Sequence, residues 1–334
     1  MLIFPGEVRI VCLKFLLNEG YPGNFLKVLK KRLPGKAKRK VIQMGDFEFR
    51  GFRQKDISKM RKTFNLAFSD YIVPINLSHG QFIQKIIQKT SISFNYSVGS
   101  FSNKKLIGFI YNSINYYEGR KTAYNGGTGV VPEYRGNKLT EKMYDSIFPK
   151  LEKNGIEQCL LEVISNNKPA IKVYENLGFT KSKFFHCLKL KKESSYLQAF
   201  RKPDIELVIP QTPKWKKYES FCDYNACYLD SLPLLKKNKL NEYILEAYQN
   251  NQLVGFLIFN KKMGRIEHIG IDHNARGKGI AAMLIKKMIR VCRNKPIYIL
   301  NLNERNYNVL NFFLRVGFKN EIDQFELKLS IPRN

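Results

Sequence analysis

The chain has 334 residues, 44% of them hydrophobic and 13% aromatic, with a formal net charge of +29. This composition excludes an intrinsically disordered chain, and the length predicts about two packed domains. No run of about 18 apolar residues occurs, so we expect no membrane-spanning helix. The scattered cysteines favour reduced thiols in a cytoplasmic protein.

The positive charge has two interpretations. Lysines are spread along the whole chain, which favours a general compositional bias. A polyanionic partner, such as nucleic acid, an acidic membrane or a phosphorylated cofactor, is the alternative. No aromatic and basic recognition motif supports a nucleic-acid partner, and the chain has no apolar span, so we expect neither a nucleic-acid nor a membrane partner.

Cysteines and histidines form no metal motif. The six cysteines include no C-x-x-C pair, and the four histidines do not cluster with cysteines or acids. We therefore expect no metal and reduced thiols, although Cys222 and Cys227 are close enough in sequence to pair.

The chain begins with a basic segment, residues 1–44, that belongs to neither of the repeats described below. It contains LKKRLPGKAKRK and lacks the apolar core of a signal peptide. Such a tail could bind a polyanion, or translation could start at Met44, directly before the first predicted strand.

The first half then alternates strand and helix patterns. FEFRGFR predicts a strand, DISKMRKTFNLAF and LSHGQFIQKIIQ predict helices, and FNYSVGSF, KLIGFIYNSINYY and AYNGGTGVV predict strands. A helix follows, with its apolar side chains on one face: Leu139, Met143, Tyr144, Ile147, Phe148 and Leu151. QCLLEVI predicts a buried strand, and PAIKVYENLG a helix that ends at Gly178.

The second half repeats this order. IELVIP, YILEAYQ, LVGFLIF, IEHIGI and IYILNL predict strands, with a weaker helical zone from Pro213 to Leu235. A helix before the last of these strands carries Ile280, Leu284, Met288 and Ile289 on one face.

Two pairs of matching segments establish the repeat. YRGNKLTEKM and ARGKGIAAML place Arg135 and Arg276 at equivalent positions, and NKPAIKVYENLGF and NYNVLNFFLRVGF do the same for Asn167 and Asn306. Both offsets are about 140 residues, and units of this length indicate two domains rather than a solenoid. We predict an extension at 1–44, domains at 45–192 and 205–332, and a linker at 193–204.

The Arg-Gly loop has the properties of an anion site. It follows a strand and opens a helix, whose free N–H groups and dipole attract negative charge. Glycines let a ligand approach the backbone closely. The loop matches neither G-x-x-x-x-G-K-[ST] nor G-x-G-x-x-G, and an ordinary strand-to-helix turn is the alternative interpretation.

The context resembles the GNAT superfamily of acyl-CoA-dependent N-acyltransferases. Its motif, Arg/Gln-x-x-Gly-x-Gly/Ala, matches Arg276 to Ala281 at every defined position, and the preceding IEHIGID and the later Gly-Phe element also fit. The resemblance covers nearly all of residues 45–330. It implies an α/β (α+β) fold of two tandem GNAT-like domains. Each would be a mixed, mostly antiparallel twisted sheet flanked by helices, with a splayed central strand pair.

The resemblance also implies acetyl-CoA as co-substrate. In the second copy, backbone amides of Gly277–Ala281 would bind the pyrophosphate, and the strand before them would pair with the pantetheine arm. The implied cofactor-binding residues are Val130, Val131, Arg135, Gly136, Asn137, Lys138, Leu139, Thr140, Asn167, Ile271, Arg276, Gly277, Lys278, Gly279, Ile280, Ala281 and Asn306.

Each copy departs from the family pattern once. Lys138 stands where the first loop should have its second glycine. It could block the pyrophosphate, or its ammonium could attract phosphate. In this family a tyrosine often protonates the leaving thiolate. Tyr174 matches it, whereas Phe313 holds that position in the second copy. Core packing is the alternative role for Tyr174.

Candidates for the catalytic base are Glu162 in the first copy and Glu267 in the second. Strand alternation would direct either Glu267 or His268 toward the site. A surface carboxylate is the alternative for each acid, and a water relay could replace a base in the first copy.

The resemblance implies an N-acetyltransferase that moves an acetyl group to a small-molecule or peptide amine by direct attack in a ternary complex. A non-catalytic acyl-CoA sensor or scaffold is the alternative. We favour the first copy as the catalytic one, with residues 67–82 over its acceptor groove. The protein would be a monomer with an internal pseudo-dimer, or a homodimer.

Overall fold

A computed structural model describes most of both repeats. The described residues are 47–70, 75–191, 197, 204–222, 224–238, 242–293 and 295–332. The proposed extension lies outside them, as does most of the linker. Within the described residues, no helix is both long and apolar enough to cross a membrane.

The chain forms two compact units. Unit 1 is the chain up to Ser182 together with its end from Phe325, and unit 2 is Lys183–Gln324. The described residues form twelve strands and eight α-helices. The strands are β1 (Glu48–Arg50), β2 (Val98–Ser102), β3 (Lys105–Tyr117), β4 (Arg120–Val130), β5 (Gln158–Ile164), β6 (Thr180–Leu190), β7 (Glu206–Val208), β8 (Glu242–Gln249), β9 (Gln252–Asn260), β10 (Arg265–Ile271), β11 (Tyr298–Asn303) and β12 (Phe318–Ser330).

The helices are distributed evenly over the repeats. They are α1 (Ile57–Ala67), α2 (His79–Phe82), α3 (Leu139–Lys153), α4 (Lys168–Asn176), α5 (Trp215–Glu219), α6 (Leu232–Asn238), α7 (Ile280–Cys292) and α8 (Tyr307–Arg315). The strand orders are β1-β2-β3-β4-β5 with the end of β12 in unit 1, and β6-β11-β10-β9-β8-β7 in unit 2. The predicted mixed, mostly antiparallel sheet with flanking helices is confirmed in both copies.

Two predicted helical segments are less regular than expected. The zone from Pro213 to Leu235 divides into α5, a 3-10 turn at Tyr228–Asp230, and α6. The segment after α2 continues as a π-helical turn, Ile83–Gln88. Lysines and polar residues interrupt the apolar spacing of the Pro213–Leu235 zone, so tertiary packing sets its helix limits.

Helices cover both faces of each sheet. In unit 1, aromatic rings from α1 and α2 pack on β3, where Phe109 stacks on Tyr111 at a ring-centroid distance of 4.3 Å. Phe64 of α1 stacks on Phe109 at 5.8 Å. Each such ring pair stabilises the fold by about 0.5–1.5 kcal/mol beyond the contribution of its buried apolar area. Unit 2 likewise has a core against α7 and α8 and a separate core against α5.

The central strand pair of each unit separates along its length. In unit 1, β4 and β5 pair in parallel only at Thr122–Tyr124. In unit 2, β10 and β11 pair in parallel only at Arg265 and Ile266. Beyond these residues each pair leaves an open strand edge, so the predicted splayed central pair is present in both units.

The last strand of each repeat passes into the other unit. β6 begins in unit 1 and enters unit 2 at Lys183, where it pairs with β11. The end of β12 belongs to unit 1, where Ser182 Oγ donates to the Glu326 carboxylate at 2.7 Å and Ile331 N donates to Glu157 O at 2.9 Å. The domain limits predicted from the repeat stay a prediction. They place each last strand wholly within its own repeat and so do not include this exchange.

Removing residues 325–334 is therefore expected to destabilise unit 1 rather than unit 2. The deletion removes fully buried Leu327, and burial of one leucine contributes about 1.5–3 kcal/mol. Hydrogen exchange followed by mass spectrometry should show faster exchange in residues 47–182 and unchanged exchange around β9 and β10. Unchanged protection in residues 47–182 would contradict the assignment of this segment to unit 1.

Candidate active site

A β-bulge lies at the same repeat position in both central strands. β4 carries one extra residue, Gly126, between the pairs Tyr111–Gly127 and Asn112–Asn125. β10 carries one extra residue, Glu267, between Ile266 and His268. Gly126 and Glu267 are related by the same offset as the two loop arginines. The bulge redirects the side chains that follow it, at the point where the strand pair separates.

A buried polar network surrounds the bulge in unit 1. Asn125 Nδ2 donates to Thr128 Oγ1 and to the Tyr144 hydroxyl, each at 2.7 Å. Asn125 Oδ1 accepts from Gly127 N at 3.0 Å. All three side chains are almost completely buried. The strand is therefore linked to α3 by hydrogen bonds inside a dry region.

Tyr174 of α4 lies beside this network. Its ring packs edge-on against Tyr144 and Phe179 at 6.1 and 5.4 Å. Its hydroxyl is fully buried and makes no hydrogen bond of good geometry within the described residues. Burial raises the pKa of Tyr174, and neighbouring Thr128 and Asn125 offset part of that increase. The phenol therefore keeps its proton at neutral pH.

A second buried hydroxyl has no partner at the start of α3. Thr140 is 1% exposed, and its Oγ1 makes no hydrogen bond within the described residues. A buried polar group without a partner costs about 1–3 kcal/mol. Buried polar groups without a partner are rare in folded proteins, so an ordered water or a polar ligand would satisfy these two hydroxyls.

The equivalent positions of unit 2 are all apolar. Residues of unit 1 up to the end of α3 are matched to unit 2 by the offset between Arg135 and Arg276. Residues after α3 are matched by the offset between Asn167 and Asn306. The side chains equivalent to this set are Ile266, Ile269, Ala281, Ile285 and Phe313. Ile266, Ile285 and Phe313 are fully buried. One copy thus has hydroxyls and an amide where the other has hydrocarbon.

The two loops share one backbone conformation despite their different sequences. Gly136 and Gly277 have φ angles of +85° and +75°. Lys138 and Gly279 directly precede the helices, with φ angles of +54° and +82°. A lysine in the left-handed region costs about 1–2 kcal/mol. Unit 1 therefore keeps the loop geometry of unit 2, at the cost of strain at Lys138.

The loop arginines secure the end of the strand. Arg135 Nε donates to Val130 O, and Arg276 Nε donates to Ile271 O, both at 3.2 Å. Arg135 also forms an ion pair with Asp70 at 2.7 Å. In both copies the same guanidinium reaches a carbonyl of the early helical region. Their observed contacts are structural, and they hold the loop against the strand.

The Acetyltransferase (GNAT) family model matches residues 62–179 and again residues 207–318. The chain belongs to the GNAT acetyltransferase family. Both matches include a splayed strand pair and the loop that follows it.

Solved structures share the tandem fold. A tandem GNAT protein from the clavulanic acid biosynthesis pathway is 12% identical, with a TM-score of 0.65 over 86% of this chain and 100% of that chain. A GCN5-related N-acetyltransferase from Sphaerobacter thermophilus is 13% identical, with a TM-score of 0.63 over 85% and 95%. At these identities the likeness shows the fold alone.

The predicted base of the first GNAT domain lies inside it rather than at its surface. Glu162 is 1% exposed, and its Oε2 accepts from the Tyr124 hydroxyl at 2.5 Å. Tyr124 lies on β4 directly before the polar network. The carboxylate is therefore held at the splayed pair by a phenol.

The predicted base of the second GNAT domain lies in a buried charge cluster. Glu267 Oε1 is 3.8 Å from Arg265 Nη1. Arg265 Nη2 also contacts both carboxylate oxygens of Asp230 at 2.6 Å. His268 Nδ1 lies 2.8 Å from Asp230 O. The bulge at Glu267 explains why these groups lie together, because it directs the side chains of both Arg265 and His268 toward Asp230.

The other predicted cofactor residues are strand ends, helix starts and loop positions. Val131 N donates to Ile107 O, away from the open edge, whereas Val130 and Ile271 present their carbonyls to the loop arginines. Asn167 caps α4 through Ala170 N at 3.4 Å. Asn306 takes the same position before α8. Asn137 Nδ2 donates to Tyr134 O, Leu139 and Ile280 are the first helical residues, and Lys278 is exposed.

The cysteines within the described residues are reduced thiols, Cys222 and Cys227 included. No group of three metal-binding side chains occurs in the described part of the chain. Sequence reasoning missed the roles of Asn125, Thr128 and Tyr144. Superposing AYNGGTGVV on RIEHIGI by the offset of the loop arginines would have revealed the exchange of polar for apolar residues.

Replacing Lys138 by glycine tests whether its ammonium assists binding. Glycine adopts the left-handed conformation without strain, so the loop should keep its shape. One exposed charge near a helix start contributes about 0.3–1 kcal/mol to anion binding. We expect calorimetry to show acetyl-CoA binding weaker by about twofold to fivefold. Tighter binding by Lys138→Gly would show instead that the lysine obstructs the site.

Proposed function

We propose that the chain is an N-acetyltransferase that transfers an acetyl group from acetyl-CoA to a small-molecule or peptide amine. The amine attacks the thioester directly in a ternary complex, and the first GNAT domain performs the chemistry. The second domain binds coenzyme A through its own loop. We propose a cytoplasmic monomer or homodimer.

The polar network of the first domain carries this assignment. Tyr174 offers a buried hydroxyl that has no hydrogen-bond partner of good geometry within the described residues. Burial raises its pKa, so the phenol is protonated at neutral pH and can donate a hydrogen bond to the sulfur of a leaving thiolate. Asn125, Thr128 and Tyr144 fix the strand beside it. Phe313 in the second domain can donate no proton.

The residues at the start of α3 fit the phosphates of coenzyme A. The first N–H groups of a helix have no partner inside the helix and face the preceding loop. Gly136 leaves open space, since no atom lies within 4 Å of a Cβ built there. Thr140 adds a buried hydroxyl without a partner in the described residues. Together these groups attract an anion to the helix start.

Glu162 is the base that we assign to the first domain. Its buried carboxylate can take a proton from the attacking ammonium directly or through a water. Glu267 is the corresponding candidate for chemistry in the second domain, where it lies near Arg265. The acceptor groove would lie under α1 and α2, although residues 71–74 of the segment proposed to cover it are outside the described residues.

A sensor without turnover is the second candidate function. The apolar side chains at the splayed strand pair of the second domain favour this function. That domain has a loop that could bind acetyl-CoA, but it has no phenol at the position of Tyr174. The distinguishing experiment measures free thiol release from acetyl-CoA with a panel of polyamines, amino acids, aminoglycosides and peptide N-termini. Amine-dependent release supports the enzyme. Tight acetyl-CoA binding without release for any amine would support the sensor.

A further inference from the structure

Unit 2 contains a thiol and an imidazole in direct contact. Cys222 Sγ lies 3.1 Å from His268 Nε2 and 3.2 Å from Tyr218 O, so its one proton is shared between these two acceptors. Cys222 is partly exposed, whereas the other cysteines of the described residues are buried. A nucleophile within hydrogen-bond reach of a base is the common arrangement of covalent catalysis.

The tautomer of His268 suits a base. Its Nδ1 lies 2.8 Å from Asp230 O. A carbonyl oxygen can only accept, so Nδ1 carries the proton and Nε2 presents a lone pair to the thiol. Rings of Tyr224 and Phe256 stack on the imidazole, with centroids at 5.4 and 5.8 Å. The base therefore has one orientation, fixed by a third group.

The pair lies beside the strand end that leads to the second loop. Tyr224 OH donates to Ile269 O at 3.2 Å. Phe221, the residue before Cys222, accepts from Arg276 Nη2 and packs on Gly270. The thiol therefore lies beside the segment of β10 that separates from β11. In unit 1 the position equivalent to His268 is Gly127, which supplies no base.

We propose that Cys222 accepts an acyl group from acyl-CoA bound to the second domain, with His268 as its base. This proposal rests on coenzyme binding by that domain, which is part of the proposed function. It gives the second domain a chemistry of its own in place of the missing phenol.

The reaction is a thioester exchange without an external oxidant or reductant. The Cys222 sulfur attacks the acyl carbonyl carbon while its proton moves to His268 Nε2. The bond between that carbon and the coenzyme sulfur breaks, and the departing thiolate takes the proton from Nε2. The products are S-acyl-Cys222 and free coenzyme A. Burial lowers the pKa of His268 to about 4, so the imidazole is neutral at neutral pH and holds the thiol proton only transiently before it passes to the departing thiolate.

To test this, the full chain is incubated with acetyl-CoA in the absence of any amine and quenched with acid. Acetyl groups are then located by peptide mass spectrometry. Neutral hydroxylamine distinguishes a thioester from an amide. We expect a hydroxylamine-sensitive acetyl group on Cys222, absent in Cys222→Ser and formed about 100-fold more slowly in His268→Gln. Cys227→Ser, which alters a buried thiol nearby, should keep the label. Gly277→Asp should lose it, because the carboxylate opposes pyrophosphate binding.

Two parallel readouts separate the possible failures. Calorimetry counts acetyl-CoA sites, and thiol release with amines reports the first domain in the same preparation. A chain that binds acetyl-CoA at two sites but leaves Cys222 unmodified overturns this inference and leaves the proposed function intact. A label on Cys222 that is independent of His268 and Gly277 also overturns it. A chain that binds no acetyl-CoA overturns both proposals.

Discussion

Tyr174→Phe is expected to lower kcat for acetyl transfer by about 100-fold or more. A positioned general acid contributes about 10²–10⁴ to a rate, and phenylalanine removes only the hydroxyl. That hydroxyl has no hydrogen-bond partner of good geometry within the described residues. Its loss should therefore not lower the free energy of unfolding, because a buried hydroxyl without a partner costs about 1–3 kcal/mol.

Two further measurements make this result specific. Tyr116→Phe is the matched control, because Tyr116 is 64% exposed and lies on β3 outside the network. It should keep wild-type kcat. Acetyl-CoA affinity should be similar in both variants, since the phenol acts on the leaving group. Wild-type kcat in Tyr174→Phe would mean that the hydroxyl only packs in the core.

Asp230→Ala is expected to destabilise unit 2 by about 3–5 kcal/mol, because removing one partner of a buried ion pair leaves an uncompensated charge in a low-dielectric interior. Asp230 pairs with Arg265, which is fully buried. Glu267, 3.8 Å from the same guanidinium, offsets part of this cost. Urea denaturation should show a lower midpoint for the transition of unit 2.

The control for this prediction is a histidine–aspartate contact of the same unit near the surface. Asp323 Oδ1 lies 2.8 Å from His186 Nδ1, and both side chains are partly exposed, at 32% and 22%. Exposed pairs contribute about 0–1 kcal/mol, so Asp323→Ala should cost little. Equal costs for the two substitutions would contradict the role of burial at Asp230.

The fold was predictable from sequence to the level of the repeat. Helical and strand periods, together with the offsets of Arg135 to Arg276 and Asn167 to Asn306, predicted two similar sheets. The exchange of strand ends was not predictable. β6 and β12 occupy the same position in their repeats, and either could complete either sheet. Only the three-dimensional register assigns Ser182 and Glu326 to one unit.

The parts of the site that follow from the loop motif were predictable from sequence. The parts that depend on side-chain packing were not. Glycine spacing indicated both loops. The conformation at Lys138 did not follow from sequence, because a lysine at positive φ goes against local preference. The contact of Cys222 with His268 depends on a one-residue bulge at Glu267. Simple alternation cannot anticipate such a bulge.

The roles of the two domains can be tested by placing one carboxylate in each loop. Gly136 and Gly277 both have positive φ and no atom within 4 Å of a built Cβ. Aspartate tolerates this conformation better than most residues, and its charge opposes a phosphate. Gly136→Asn and Gly277→Asn control for the added side chain.

The decisive measurement is amine-dependent release of coenzyme A by Gly136→Asp and by Gly277→Asp, each compared with its asparagine control. We expect Gly136→Asp to lose turnover and Gly277→Asp to retain most of it. Loss of turnover in Gly277→Asp alone would place the chemistry in the second domain and contradict the assignment of Tyr174.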